Sequence, residues 1–521
     1  MPGGLALDHP LTVPQRPRDV ALPFWVDPEV AFTELLRDEP TAFWLDSGFG
    51  ATSGVTYLGA PSPSSMIAMP DASGRGVRLS SPSGGLRSRH PGSVFDLLRE
   101  TTATTSPVDR IASDSDPDQD RGLGLGWVGW LGYELGAQLV GTPHHRSALP
   151  DFALMFADRV IAFDHAARTI TLRVPEGSPP DGWVGETTAA LEALRGREPA
   201  PLLPAPARAV APAPATLRHP RNEYLRMLRE CAAAITRGDA FQICLTNEIT
   251  IEANLDPVDT YLRLRRANPS HHAGYLRFGE VALLSSSPEQ FLDIRPDGRV
   301  ETMPIKGTRR RGASVAEDAD LVRELAADPK ERAENIMIVD LMRNDLSRVA
   351  ELGSVAVHGL LRVESYRNVH QLVSTISARI AEGRSWVDVL AACLPAGSMT
   401  GTPKHSAMTI IDRLERGPRG PYAGAFGYLG TDGRVDLAMT IRSLVVRPDV
   451  ATIGTGGGIT ASSIDELEFA ETLLKAEPLL AAASAALVVE RPGSAEVLQP
   501  QPPGAQNRVF LGNGTRWYQA S

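Results

Sequence analysis

The sequence predicts an α+β fold with largely antiparallel sheets. Strand-like and helix-like segments come in runs rather than in strict strand–helix alternation, and turn signals join successive strands. The chain of 521 residues is 42% hydrophobic and 22% charged, which suffices for a large core or two to three domains.

Taken in order, residues 61–120 are rich in Ser, Gly, Pro and Asp and predict loops with few buried elements. Residues 199–214, PAPLLPAPARAVAPAP, predict a semi-rigid linker, because proline lacks the backbone donor and restricts its predecessor. The expected organisation is an N-terminal region 1–198, a linker 199–219, a main region 220–488 and an irregular tail 489–521. In the main region, residues 222–237 have helical spacing (Tyr224, Met227, Leu228, Cys231, Ile235), and Gly238-Asp239 ends the helix before the strand-like AFQICLTNEITI. VALLSSS, EQFLDI and RVETM follow as short strands, the last two joined through an Arg295-Pro-Asp-Gly298 turn. Residues 319–346 form a long helical stretch interrupted near Asp328-Pro329. Strands dominate 422–459, and 464–476 is a further helix. No internal repeat is evident.

The net charge of −10 argues against nucleic acid or an anionic membrane as partner through the overall field. A small anionic ligand needs local cations or a metal. Three cysteines without CxxC spacing fit a reducing cytosol and signal no thiol nucleophile. The N-terminus has no export signature and the apolar run 479–489 is too short to span a bilayer, so a cytoplasmic protein is expected.

Two segments pair carboxylates. In KERAENIMIVDLMRNDL, Glu331 and Glu334 are three apart and share a helix face; DELEFAETLLKAE repeats this with Glu468 and Glu471 and adds Lys475 one turn on. A solvated face is the ordinary reading of either pair. If the two helices meet, all-oxygen ligands suit Mg²⁺. GTGGGIT (454–460) reads as a tight turn or an anion cradle. Arg442 interrupts the apolar MTIRSLVV and is either ion-paired or a ligand fork. His370 reads as a satisfied core histidine before a ligand. In ETMPIKGTRRRG, Lys306 sits just ahead of Arg309, Arg310 and Arg311, so it is either one more solvated charge or a reactive amine.

Together GDAFQICLTNEI, SSSPEQFL, PIKGT, ENIMIVDLMRNDL, VHQLVST, GSMTGTPK, PYAGAFGYLG, MTIRSL, GTGGGI and ELEFAETLLKA resemble the chorismate-utilising enzymes, in that family's order. FWLDSG and GWVGWLGYELG extend the resemblance loosely toward the N-terminus. It implies an anthranilate-synthase-like fold, two packed largely antiparallel sheets forming a sandwich with helices outside. Lysine before Gly-Thr resembles the aminodeoxychorismate synthase component I branch, where anthranilate synthase typically has alanine. Gln242 stands where isochorismate and salicylate synthases carry a water-activating lysine.

The resemblance implies chorismate and ammonia as substrates, 4-amino-4-deoxychorismate as product on the way to p-aminobenzoate, and these roles. Glu289 protonates the leaving C4 hydroxyl, and Lys306 attacks ring C2. Mg²⁺ is held by Glu334 and Glu471, with Glu331 and Glu468 behind. Tyr422, Arg442, Lys475, Gly457 and Gly458 hold the enolpyruvyl carboxylate; Gly307 and Thr308 line the ring; Thr400 and His370 also contact substrate. The family's active-site histidine aligns with Gln371, next to His370. Ser47 matches a position lining a tryptophan pocket in relatives. With no cysteine in a nucleophile elbow, ammonia must come from a glutamine amidotransferase partner or from solution. Two alternatives stay open: anthranilate synthase component I, and a non-catalytic subunit that binds chorismate or tryptophan.

Overall fold

β-Branched and aromatic residues in short runs pair into two sheets, of fourteen and twelve strands among the described residues. The computed structural model describes residues 17–74, 76–103, 122–178, 182–201, 212–366, 369–491 and 494–498. Nearly every pairing is antiparallel; Ala213–Leu217 runs parallel to Ala485–Arg491.

The sheets face each other across a core of Phe43, Leu276, Phe278 and Val445 from one and Val128, Trp130, Phe426 and Tyr428 from the other. The Trp130 and Phe278 rings meet edge to face at 4.9 Å, the arrangement their quadrupoles favour. Helices cover the outer faces. Arg221–Arg237, Pro257–Ala267, Lys404–Glu415 and Asp465–Ala482 pack on the larger sheet, and Val94–Ala103, Tyr133–Val140, Pro329–Ser347 and Trp386–Cys393 on the smaller. This is the two-sheet α+β sandwich with helices outside that the sequence and its resemblance imply.

The N-terminal residues build no separate sheet. Thr41–Asp46 pairs with His272–Phe278, and Gly126–Leu131 with Ala425–Gly430, so strands from distant parts of the chain interleave.

Several expectations are corrected. Within 61–120 the chain forms strands Ile67–Pro70, Val77–Ser80 and Leu86–His90 and helix Val94–Ala103. Val77, Leu79, Leu97 and Leu98 are fully buried there, spaced for one face of a strand and of a helix inside a polar-looking composition; 104–121 lie outside the described residues. Of the linker, 202–211 lie outside, while Ala213–Leu217 is a strand paired with Gln242–Ile251. The tail opens with a hairpin, Ala485–Arg491 and Ser494–Leu498, and 499–521 lie outside the described residues. The helix expected to end at 476 runs on to Ala482 through Pro478, because Leu479 and Leu480 bury against the larger sheet. No described helix is long and apolar enough to cross a membrane.

Candidate active site

The GTGGGIT glycines are neither turn nor loop. They lie inside the strand Val450–Ile459, paired residue for residue with Gln242–Ile251. Glycine is required there by close approach. A β-carbon on Gly458 would stand 2.4 Å from Gln242 Nε2 and 3.6 Å from Lys306 Nζ; one on Gly457 would stand 3.3 Å from Glu468 Oε2. A β-carbon on Gly454 would enter the Tyr422 ring. The bare strand is one wall of the site.

Lys306 comes from the strand Ile305–Arg310, whose pairing with Val369–Arg379 breaks register between Lys306 and Thr308. Gly307 takes φ +78° at that bulge and lies against Leu325 and Glu331. A bulge re-aims the adjacent side chain; Lys306 Nζ ends 4.0 Å from Glu334 Oε2. Thr308 follows on the same strand, opposite Gln371.

Both carboxylate pairs arrive from helices facing this wall. Pro329–Ser347 starts on Asp328, whose side chain accepts from the Lys330 and Glu331 amides at 2.9 and 3.2 Å. It is locked to the strand paired with the Lys306 strand through Asn335, which donates to Leu372 O and accepts from Ser374 Oγ. Its far end is held by the buried Lys404–Asp345 pair at 2.6 Å. Asp465–Ala482 brings Glu468, Glu471 and Lys475, and Lys475 Nζ bonds Gly456 O and Glu471, each at 2.8 Å.

Four carboxylates and four cations meet here. Besides the Lys306 and Lys475 contacts, Lys330 Nζ lies 3.0 Å from Glu468 Oε1 and 3.8 Å from Glu334 Oε1, and Arg309 lies 3.9 Å from Glu331. Burial pushes Glu334 up to about 7 against the pull of Lys306 and Lys330. Burial also raises Glu331, and the facing Glu471 charge adds to it. Burial raises Glu471 too, but Lys475, Lys330 and Lys306 outweigh it and hold that carboxyl below its ordinary value. Among the described residues no three metal-type side chains converge on one point. The oxygen-only donors on two facing helices nonetheless fit Mg²⁺, which takes one or two carboxylates and fills its shell with water and ligand oxygens.

Glu289 stands at the end of Val281–Ser287 and is 8% exposed. Burial pushes it up to about 7, against Lys306, a hydrogen bond from Ser398 and Lys475. Such a carboxyl holds its proton near neutrality and can deliver it. Burial lowers Lys306, but Glu334, Cys244, Glu289 and Glu471 together raise it above its ordinary value. Arg309 is held by Glu324 and Asp328, Arg310 by Glu317, and Arg311 by Asp318.

Arg442 lies where the chain crosses from one sheet to the other, between Val435–Met439 and Ser443–Arg447, with φ +50°. A non-glycine residue in this region costs of order 1–3 kcal/mol and is held by its surroundings. No ion pair or side-chain hydrogen bond is found for its guanidinium among the described residues, so the fork is free for a ligand. Burial lowers it, opposed by Glu471 and Tyr422.

Two predicted residues do not present free groups, and a third stands away from the site. Both ring nitrogens of His370 are engaged, by Asp318 at 2.9 Å and Ser365 at 2.8 Å, so it is a satisfied buried histidine and not a substrate ligand. The Thr400 hydroxyl donates to Ala396 O, and its carbonyl accepts from Cys244 N, tying the Gly397–Met399 turn to the glycine wall's partner strand. Ser47 follows Thr41–Asp46 and packs on Gly54; beside it lies a small cavity lined by Asp46, Tyr57, His271, His272 and Asp436, which Ser47 itself does not line. Sequence reasoning missed Lys330, Ser398 and Arg309; a lysine directly before the first carboxylate pair was the available signal for one of them.

The sequence profile of the chorismate binding enzyme family matches residues 84–481. The chain is 43% identical over 470 residues to an aminodeoxychorismate synthase of Streptomyces pristinaespiralis, covering 88% of this chain but 63% of that protein. It is 39% identical over 399 residues to anthranilate synthase component 1 of Thermus thermophilus, covering 75% of this chain and 85% of that one. The crystal structure of anthranilate synthase component I from Streptococcus pneumoniae is similar at TM-score 0.66 and 28% identity, over 84% of this chain and 94% of that chain. The chain thus spans under two thirds of the length of the Streptomyces relative.

Proposed function

The chain belongs to the chorismate binding enzyme family, and from that premise we propose that it converts chorismate and ammonia to 4-amino-4-deoxychorismate and water, toward p-aminobenzoate. The observation that carries the reading is the buried Lys306 amine facing Glu289, Glu334 and Gly458. The similarity to an aminodeoxychorismate synthase supports it.

In this reading Lys306 loses its proton to a carboxylate within reach, and its lone pair forms a bond to ring C2. The ring double bonds shift, and the C4–O bond breaks as Glu289 protonates the departing hydroxyl, releasing water. Ammonia then attacks C4, the double bonds return, the Lys306–C2 bond breaks, and the surplus ammonium proton passes back to Glu289. Glu334 and Glu471, with Glu331 and Glu468 behind them, would hold Mg²⁺, which would supply positive charge for the ring carboxylate. Arg442, Tyr422 and the Gly457 and Gly458 amides bind the enolpyruvyl carboxylate, where the arginine fork gives orientation as well as charge. A glutamine amidotransferase partner supplies the ammonia, in the cytoplasm.

Mass spectrometry of the product from chorismate, ammonium and Mg²⁺ tests this. Aminodeoxychorismate is expected from the chain, and its loss in Lys306→Ala. Anthranilate with pyruvate from the unaltered chain would move the assignment to anthranilate synthase, and no turnover would leave a binding subunit.

A further inference from the structure

Lys330 has a position that its helix does not favour. It is the second residue of Pro329–Ser347, where the partial positive charge of the helix start opposes a cation. Its ammonium is nevertheless drawn inward onto one carboxylate from each facing helix, Glu468 at 3.0 Å and Glu334 at 3.8 Å. A cation bridging those two helices does what a divalent ion would do there.

The other three cations of the group have fixed tasks. Lys306 is the most enclosed amine, Arg309 is clamped by Glu324 and Asp328, and Lys475 is bonded to Gly456 O. Lys330 has Glu468 and Glu334 as its side-chain partners, and its side chain is 38% exposed against 28% for Lys475, 15% for Lys306 and 11% for Arg309. It alone among them has both a bridging position and an open way out to solvent. With the Lys330 ammonium already on Glu468 and Glu334, a divalent ion approaching that pair competes with it for the same oxygens.

We propose that Lys330 is an internal stand-in for the metal: its ammonium bridges Glu468 and Glu334 in the free enzyme and swings to solvent when a divalent ion takes that place. This rests on the reading that these carboxylates hold Mg²⁺. The lysine keeps the two acidic helices from repelling before the ion arrives, and it weakens the ion's binding by competing for the same oxygens.

The test uses the full chain without chorismate and Mg²⁺ alone. Pulse acetylation with an N-hydroxysuccinimide ester, read at Lys330 by peptide mass spectrometry, is expected to rise several-fold when Mg²⁺ is added. Calorimetry is expected to show Lys330→Met binding Mg²⁺ roughly tenfold more tightly than the unaltered chain. Arg332→Gln removes an exposed charge of the same sign one turn-edge away and controls for the general field, and it should change affinity far less. Mg²⁺ binding with unchanged or reduced Lys330 acetylation, or Lys330→Met no tighter than Arg332→Gln, would overturn the stand-in role while leaving the metal site intact. No Mg²⁺ binding by the unaltered chain would overturn the metal reading and the stand-in with it.

Discussion

The Gln242 side-chain amide lies where a β-carbon on Gly458 would be, its Nε2 only 2.4 Å from that position. Gln242 is fully buried, and neither its amide nitrogen nor its carbonyl oxygen has a hydrogen-bond partner. An unsatisfied buried amide beside Lys306 is a group reserved for something that enters the site.

Gly458→Ala should therefore displace the Gln242 amide. The clash is with the end of a side chain, so the thermal midpoint should move by only a few degrees. The rate of aminodeoxychorismate formation should fall about a hundredfold, the scale of a 1 Å misplacement. A variant with near-normal kcat/KM would show that Gln242 can move without consequence.

Glu289 makes the rate and the stability depend on pH in linked ways. As the proposed proton donor with a value of about 7 it must be protonated, so kcat/KM should fall with rising pH above that value. Its value is raised from 4.5 on folding, so its neutral form favours the folded state. That contribution is fully present below about 4.5 and is lost as pH rises through about 7. Glu289→Gln should thus be inactive, and more stable than the unaltered chain at pH 8 by about 1–3 kcal/mol, with the difference vanishing toward pH 5. Denaturant titrations at the two pH values check the sign.

Arg442 should contribute to binding far more than to folding. Its guanidinium breaks no ion pair when removed, so Arg442→Gln should melt within a few degrees of the unaltered chain. Losing a charge-assisted fork to a carboxylate costs about 2 kcal/mol, or about thirtyfold in KM for chorismate. Arg442→Lys should recover only part of this, since an ammonium cannot make the paired contact. A large stability loss with normal KM would identify a structural role.

The site was readable where chemistry demands a residue type at a fixed local spacing. Glu331 with Glu334, and Glu468 with Glu471, had to share helix faces, and they do. What depends on distant pairing was not readable. The glycines at 454–458 look like a turn until Gln242, Lys306 and Glu468 are set against them. Arg442 looks like a strand residue because nothing local marks the point where the chain changes sheets. His370 and Lys330 could not be told apart as ligand or support until Asp318 and Ser365, or Glu468 and Glu334, were placed beside them. Buried strands such as Val77–Ser80 were hidden by the serine- and glycine-rich turns around them.

The interleaved strands also set a timetable for the chain's own synthesis. Gly126–Leu131 leaves the ribosome well before Ala425–Gly430, with one edge waiting for it, and Thr41–Asp46 likewise waits for His272–Phe278. Pairing across such long loops is slow, and an unpaired apolar edge is open to the wrong neighbour in the meantime. The strands made first thus stay unpaired longest, and the catalytic wall can form only after Val450–Ile459 has been made and has met Gln242–Ile251.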